Sequence, residues 1–445
     1  MSQHETPADP TPRSPTSTRR VLLGSAIATV GGAAAIGLAG GGLGARPSPP
    51  SPPEEVVPVF GAHQAGVDTP QQRYAMLVAA DLTVGDAGAL RRLLRDLTAT
   101  IARITRGEDP PPSPLFRDGA VVPTDFATGL PPSRLTVTVG VGPAVFDLPG
   151  VGEPPPRRLR PLPEFEGDAL DPRWAGGDLL LQICADDPQV VSAAMRSLRA
   201  RIPGYARLRW TQSGFLSTPV DGGTPRNMFG HKDGTSNPRP GSAELEQTVW
   251  ARDDEPAWFA GGTYLVFRKI RMRTADWDLT PRDEQDAVIG RRRSDGAPLT
   301  GREEHDEPDL EATAGGRPVI AADAHVRRVR GFSMLRRSYS YDYGQLIATA
   351  GGEPDPTAAT QEHEHAPGTP EHTHGGHGAL DVGLLFCAYG NDPDAQFVAA
   401  QRRSAAADRL NRFVTHTGSA IFAVLPGCSP EGYLGETLLR TPTLG

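Results

Sequence analysis

Three short segments of the 445-residue chain carry side chains that could act on a bound ligand. In GHKDGTSNP, the carboxylate of Asp233 lies between Gly230 and Gly234, and glycines let the backbone approach a ligand closely. His325 lies in ADAHVR, and residues 334–341 (MLRRSYSY) place an arginine pair at the start of a β-like run that would turn one arginine inward. Taken singly, the first segment also fits a solvated turn, and the second fits a structural histidine.

The elements that must position these segments follow a regular order in the first half of the chain. Short apolar or alternating runs predict four strands, and two stripes with spacings of three and four predict helices. The strands are expected near residues 74–80, 135–141, 178–184 and 205–215, with helices near residues 90–104 and 188–198. The resulting order β-α-β-β-α-β predicts a ferredoxin-like unit, in which both helices cover one face of an antiparallel four-stranded sheet.

The second half of the chain repeats this order more loosely. Strands are predicted at residues 263–272, 332–343, 382–389 and 420–425, with helices opening near residue 280 and covering residues 394–414. The repeat is one of pattern and not of residue identity. Two ferredoxin-like halves, residues 59–245 and 246–445, would form one α+β enzyme.

The N-terminus has the pattern of a twin-arginine export signal. Arg19 and Arg20 precede an apolar stretch rich in glycine and alanine that extends to about residue 45. A transmembrane helix is the alternative, although the many glycines weaken both helicity and hydrophobicity. Residues 46–58 are rich in proline and serine, which is typical of a flexible linker. We therefore expect residues 1–45 to be removed on export, with no stable membrane insertion afterwards.

Composition and charge exclude several classes of protein. The net charge of -8 gives no overall attraction to nucleic acid or to anionic lipid, so we expect neither as a partner. The three cysteines include Cys184 and Cys387 in apolar runs, which indicates buried thiols and not a disulfide framework. Twin-arginine export is commonly used for proteins that fold around a cofactor before export. The export signal therefore hints at a cofactor.

Together, these segments resemble the dye-decolourising peroxidase family, and within it the exported subgroup that includes deferrochelatase/peroxidase enzymes. The similarity extends over residues 59–438 and includes LTVTVGVGPAVFD, GHKDGTSNP, GTYLVFRKIRMRTADW, TPRDEQDAVIGR, AHVR, LRRSYSYDYG and GLLFCAY. The family motif G-x-x-D-G falls on Gly230, Asp233 and Gly234, which the resemblance places at the cofactor. It also implies that the two halves form one unit of the dimeric α+β barrel type.

The resemblance implies a haem b cofactor, one per chain, with His325 as the proximal iron ligand. A neutral imidazole binds haem iron and leaves the opposite face open. An acceptor on the other ring nitrogen raises the electron donation of the imidazole, and the resemblance assigns that acceptor to Asp392.

On the distal side, the resemblance implies Asp233 and Arg336. An aspartate can move a proton between the two oxygens of a bound peroxide, and an arginine stabilises the negative charge that develops. Only ten residues lie between His325 and Arg336, so the neighbouring Arg337 stays an alternative for the distal arginine. Leu384 and Phe386, in GLLFCAY, would form a wall of the distal pocket, or would be plain β-sheet core.

The function implied is that of a haem peroxidase. It would use hydrogen peroxide to oxidise bulky one-electron donors, of dye or phenolic type, through a ferryl intermediate outside the cytoplasm. Two alternatives belong to other classes: a haem- or iron-handling protein of deferrochelatase type, and a metal-sequestering protein acting through the His-rich insertion at residues 362–378. The expected partners are peroxide, a reducing substrate and the twin-arginine export machinery, and a homodimer is left open.

Overall fold

The computed structural model describes residues 55–112, 116–117, 120–121, 127–219, 223–345 and 380–440. The expected export signal and the His-rich insertion lie outside these ranges. Among the described residues, no helix has the length and apolar character needed to cross a membrane.

The first half contains the predicted order of four strands and two helices. Its elements are β1 (Tyr74–Leu82), α1 (Ala87–Ile104), the short pair β2 (Phe116–Arg117) and β3 (Ala120–Val121), β4 (Thr136–Val141), β5 (Leu179–Ala185), α2 (Pro188–Arg199) and β6 (Ala206–Phe215). The four long strands are antiparallel in the order β6-β1-β5-β4, which is the ferredoxin-like arrangement.

Capping residues and apolar stripes explain where the two helices of this half begin and which faces they bury. Asp86 accepts a hydrogen bond from the Ala89 amide, and Asp187 accepts one from the Gln189 amide at 2.7 Å. Proline follows Asp187 at the first helical position, where its missing amide proton costs nothing. The leucines and isoleucines of α1 are buried against the sheet, as their spacing predicts.

The second half repeats the arrangement with more elements between its first two long strands. Its elements are α3 (Ala243–Val249), β7 (Thr263–Met272), α4 (Thr274–Leu279), α5 (Arg282–Ile289), β8 (Thr313–Ala314), β9 (Arg317–Pro318), α6 (His325–Val329), β10 (Leu335–Arg336), β11 (Tyr339–Gln345), β12 (Leu380–Gly390), α7 (Ala399–Ala407) and β13 (Val414–Val424). The strand order β13-β7-β12-β11 is again ferredoxin-like. The boundary expected after residue 245 stays a prediction, and α3 extends across it.

The two sheets join at both edges into a barrel-like ring of eight long strands. β6 meets β11 at Phe215 and Ser340, and β4 meets β13 through the pair Val141 and Ala423. Large apolar and aromatic side chains of both halves fill the interior, among them Trp210, Phe267, Tyr341, Leu385, Tyr389 and Phe422. The predicted α+β fold of two ferredoxin-like halves is confirmed.

The expected helix at residues 394–414 is shorter and composite. A π-helical turn (Asp394–Val398) leads into α7, which ends at Ala407, and a 3-10 turn (Arg409–Arg412) follows. The helix stops because Asp408 adopts an extended backbone and its side chain accepts a hydrogen bond from the Leu410 amide. The expected strand at residues 332–343 is likewise divided, into β10 and β11.

The cysteine prediction is confirmed. Cys184, Cys387 and Cys428 are buried and free. Burial raises the pKa of each thiol, and at Cys428 the Glu436 carboxylate adds to this effect.

Candidate active site

Two glycines with left-handed backbones shape the loop that carries Asp233. Gly230 has φ of 79° and Gly234 has φ of 120°, a region that other residues rarely adopt. A Cβ atom on Gly230 would lie 2.5 Å from Nε of Arg293, so a larger residue would also clash there. The amide of Asp233 donates to the carbonyl of Pro225 at 2.8 Å. These contacts fix the direction in which the carboxylate points.

The carboxylate of Asp233 lies beside the guanidinium of Arg336. Nη1 of Arg336 donates to Oδ1 of Asp233 at 3.2 Å. Asn237, from the same glycine-rich loop, holds the backbone of Arg336 from both sides: its amide nitrogen donates to the carbonyl at 2.7 Å, and its oxygen accepts from the amide at 3.1 Å. The loop and strand β10 are therefore joined at the point where the two charged side chains meet. No motif in the sequence marks Asn237 for this role.

Arg337 points to the opposite side of the strand. It is buried inside the barrel, where it donates to the carbonyl of Thr69 and, at 2.9 Å, to Oε1 of Gln72. Neighbouring residues of a strand face opposite sides of the sheet, so only one of the two arginines can reach Asp233. The geometry selects Arg336 as the arginine beside Asp233.

His325 begins the short helix α6, and its ring is oriented by a buried carboxylate. Nδ1 of His325 lies 2.7 Å from Oδ2 of Asp408. The same oxygen accepts from Oγ of Ser404 at 2.8 Å, and the other accepts from the Leu410 amide at 2.9 Å. Burial raises the pKa of Asp408, but the charge and hydrogen bond of His325 outweigh it, so the pKa lies below its usual value. Asp408 is therefore placed to stay ionised and to orient the imidazole.

A second ion pair holds the segments of His325 and Asp408 together. Arg409 donates through two guanidinium nitrogens to the carboxylate of Asp323, at 2.7 and 3.2 Å. The amide of Arg409 also donates to the carbonyl of Asp323 at 2.9 Å. This two-point contact fixes the loop before α6 against the turn after α7.

The expectation that Asp392 accepts from His325 is wrong. Asp392 lies at the end of β12, where Oδ2 is 3.3 Å from Nε of Arg158 and 3.3 Å from Nη1 of Arg252. Its other oxygen accepts from the Ala395 amide and caps the following turn. Asp408 occupies the position at the imidazole instead. No motif marks Asp408 in the sequence. It lies 83 positions after His325, and only the fold brings the two side chains together.

Leu384 and Phe386 lie on the same face of the sheet as Arg336. Arg336 is the cross-strand partner of Ala388, and alternate residues of β12 share one face, so the three side chains lie on one side of the sheet. Leu384 is buried in a cluster with residues from the end of β7 and from the surrounding helices and loops: Phe229, Met272, Trp277, Val288 and Phe413. The ring of Phe386 lies 5.8 Å from that of Phe397. Helices α4 and α5 thus cover this face, and α6 contacts α5 and α7.

These residues fit a haem. His325 has one ring nitrogen fixed by Asp408, and the other makes no hydrogen bond to any described residue, as an iron ligand requires. The ring is partly open, with 31% of the side chain exposed. The Asp233–Arg336 pair lies on the sheet face that α5 covers, and α5 also contacts α6, which carries His325.

Comparison with known proteins decides the family. The sequence profile described as Dyp-type peroxidase, N-terminal, matches residues 64–216, and the profile described as Dyp-type peroxidase, C-terminal, matches residues 224–429. The chain belongs to the Dyp-type peroxidase family. The family, the fold and the enzyme class predicted from the sequence are confirmed.

Individual relatives of this Dyp-type peroxidase cover most of its length. A protein named Deferrochelatase from Shigella sonnei (strain Ss046) is 36% identical over 407 residues, which are 88% of this chain and 89% of the relative. The crystal structure of a DyP-type peroxidase from Cellulomonas bogoriensis is 40% identical, with a TM-score of 0.75 over 88% of this chain and all of that one. Ferric DtpA from Streptomyces lividans is 36% identical, with a TM-score of 0.74 over 87% of this chain and 98% of DtpA.

Proposed function

We propose that this chain is a haem-dependent peroxidase that uses hydrogen peroxide to oxidise bulky one-electron donors. The observation that carries the proposal is the pair of Asp233 and Arg336, 3.2 Å apart on the sheet face that also bears Leu384 and Phe386. A protein that only carries haem needs the ligand His325. It does not need a proton-transferring carboxylate beside a fixed positive charge.

His325 would bind the haem iron through Nε2, with its orientation and basicity set by Asp408. Bound haem supplies the redox-active iron at which peroxide is reduced to water. Asp408, buried and ionised, accepts a hydrogen bond from Nδ1–H and increases the electron donation of the imidazole. Arg409 and Asp323 maintain this geometry from the outside.

Asp233 and Arg336 would act on the peroxide itself. Asp233 accepts a proton from one peroxide oxygen and returns it to the other, which leaves as water; a positioned acid–base group of this kind contributes a factor of about 10² to 10⁴. Arg336 stabilises the negative charge that develops on the leaving oxygen. Each peroxide takes up two electrons and two protons in all, so two one-electron donors are oxidised for each peroxide consumed.

Bulky donors would transfer their electrons at the protein surface. Leu384 and Phe386 narrow the distal side, so a large dye could not reach the iron. Tyr343 has 43% of its surface exposed, and its ring lies 4.9 Å from that of Tyr341, which is fully buried. The hydroxyl of Tyr341 donates to Oδ1 of Asp381 at 3.0 Å, and this carboxylate could take the phenolic proton on oxidation. Tyr341 is the cross-strand partner of Gly383, so its ring lies on the opposite face of the sheet from Leu384 and Phe386. This pair of tyrosines is the route by which we propose that electrons from large donors cross the sheet.

Iron release from haem is the second candidate function, because relatives about 36% identical are named Deferrochelatase. One incubation separates the two functions: haem-loaded protein is given peroxide and a phenolic donor, and both oxidised donor and iron-free porphyrin are measured. We expect about two donor molecules oxidised for each peroxide, with the porphyrin still metallated. Accumulation of iron-free porphyrin without donor oxidation would favour the deferrochelatase function and contradict ours.

Export by the twin-arginine route is also a proposal, with residues 1–45 as signal, residues 46–58 as linker and an envelope or extracellular location for the mature protein. The twin arginine and the apolar stretch after it support this proposal. Replacing Arg19 and Arg20 together by lysine should keep the protein inside the cell, and unchanged export would contradict the assignment.

The His-rich insertion at residues 362–378 could bind metal ions in addition. Its deletion should change haem content and peroxide reactivity by less than about twofold.

A further inference from the structure

A buried lysine lies directly beside Asp233 in the chain. Lys232 is one of only two lysines in a protein with 45 basic residues. Its ammonium lies 2.5 Å from Oε2 of Glu304, and both side chains are largely buried, with 13% and 12% exposed. A buried ammonium without a partner is costly, so Lys232 depends on Glu304 for its charge balance.

Glu304 also accepts hydrogen bonds from two threonines, one of them in the loop that carries Asp233. Its second oxygen, Oε1, accepts from Oγ1 of Thr235 at 3.0 Å and from the hydroxyl of Thr224. Lys232 precedes Asp233 by one position and Thr235 follows it by two. The Glu304 carboxylate therefore binds the loop on both sides of Asp233. Burial acts to raise the pKa of Glu304, but the hydrogen bonds from Lys232 and the two threonines outweigh it and lower the pKa.

Two further contacts fix Glu304 and Lys232 relative to each other. Nη1 of Arg291 donates to the backbone carbonyl of Glu304 at 2.7 Å. Gly296 adopts φ of 82°, and a Cβ atom there would lie 2.8 Å from Cδ of Lys232 and 3.3 Å from Cγ of Glu304. The fold leaves room for this pair only because residue 296 is glycine.

We propose that Glu304 is a positioning residue of the distal site. It neutralises Lys232 and holds it away from Asp233, so that the Asp233 carboxylate remains with Arg336. Without Glu304, the ammonium of Lys232 would be a buried charge whose neighbour in the chain is the Asp233 carboxylate, and an ion pair between them would withdraw Asp233 from proton transfer. The role in peroxide cleavage rests on the proposed function, whereas the placement of Asp233 does not.

The test is a charge-neutralisation cycle. Glu304→Gln should slow the reaction of haem-loaded protein with peroxide by about 10- to 100-fold, part of what complete loss of an acid–base group costs, and should displace the acidic limb of its pH profile. The double variant Glu304→Gln with Lys232→Met removes the unpaired charge and should recover the rate to within about threefold, because the two residues are coupled. Glu304→Asp, which keeps the charge, should retain more activity than Glu304→Gln. Glu303→Gln changes an exposed neighbouring carboxylate and is the matched control, with no change expected.

A second readout uses haem-free protein and is independent of peroxidase activity. The carboxyl ¹³C resonance of Asp233, assigned by its loss in Asp233→Asn, should shift in Glu304→Gln and return in the double variant. An unchanged rate and resonance in Glu304→Gln would overturn the proposal, and so would losses that the double variant does not recover. If the resonance shifts as expected but Asp233→Asn itself reacts with peroxide normally, then the proposed function fails and the positioning role of Glu304 stands.

Discussion

Nδ1 of His325 lies 2.7 Å from a carboxylate oxygen of Asp408, a residue 83 positions further along the chain whose side chain is completely buried. The contact leaves Nε2 as the nitrogen that would bind the haem iron in the site we propose. Asp408 would then make the imidazole a stronger electron donor and stabilise ferric over ferrous haem.

Asp408→Asn should therefore weaken haem binding and make the haem easier to reduce. We expect dissociation of haem to an acceptor protein to be about 10- to 100-fold faster, and the midpoint potential from spectroelectrochemistry to be more positive. Asp392→Asn is the matched control, since Asp392 pairs with Arg158 and Arg252 and should leave the potential unchanged. A shift in the control and none in Asp408→Asn would restore the original assignment to Asp392.

His325→Ala should give folded protein with little bound haem, because the residue that we propose as the iron ligand is lost. Haem content is measured by absorption after purification, and folding by circular dichroism. A variant that keeps haem with an unaltered spectrum would show that His325 is a structural residue.

The fold was predictable because its signals are local. The stripe of α1, the Asp187-Pro188 start of α2 and the alternation in β4 each report on contacts between neighbouring elements. Asp233, His325 and Arg336 could be chosen from the sequence because they lie in motifs that resemble those of a known family.

The partners of these residues could not be predicted from motifs. Asp408 is an aspartate at a helix end, which a sequence presents as an ordinary capping residue, and Asn237 is one polar residue in a turn. Glu304 lies in a stretch with no regular pattern. Each reaches the site through long-range packing, so only the folded chain distinguishes these three from other polar residues.

Tyr343→Phe tests the route for large donors. The substitution keeps the ring but removes the oxidisable phenol. Oxidation of a bulky dye should therefore fall by about tenfold or more, which corresponds to a rise of about 1.4 kcal/mol in the activation free energy. The reaction with peroxide alone should be unchanged. Tyr205→Phe, at a tyrosine outside the pair, is the control, and steady-state assays with a dye and with a small phenol measure both. Equal dye turnover in wild type and Tyr343→Phe would exclude this route.

His416 makes stability depend on pH. Burial, with the nearby Arg268 charge, lowers the pKa of His416 to about 3, whereas the unfolded chain binds that proton near pH 6.5. Between about pH 6.5 and about pH 3 the unfolded state holds the extra proton, so the free energy of unfolding falls as the pH falls. His416→Gln should reduce the loss between about pH 7 and about pH 5 by about 2 kcal/mol, measured by urea unfolding. An identical pH dependence in the variant would show that His416 is not neutral in the folded protein.

Stopped-flow mixing of haem-loaded protein with hydrogen peroxide tests the central claim most directly. Asp233→Asn should keep its haem and slow the first change in the Soret band by about 10² to 10⁴, because the group that moves the peroxide proton is gone. Arg336→Leu should lose stabilisation of about 3 to 4 kcal/mol, by analogy with one oxyanion-hole donor, and the double variant should fall well short of the product of the two effects. If both single variants react at the wild-type rate with haem bound, the assignment of Asp233 and Arg336 to peroxide cleavage is contradicted.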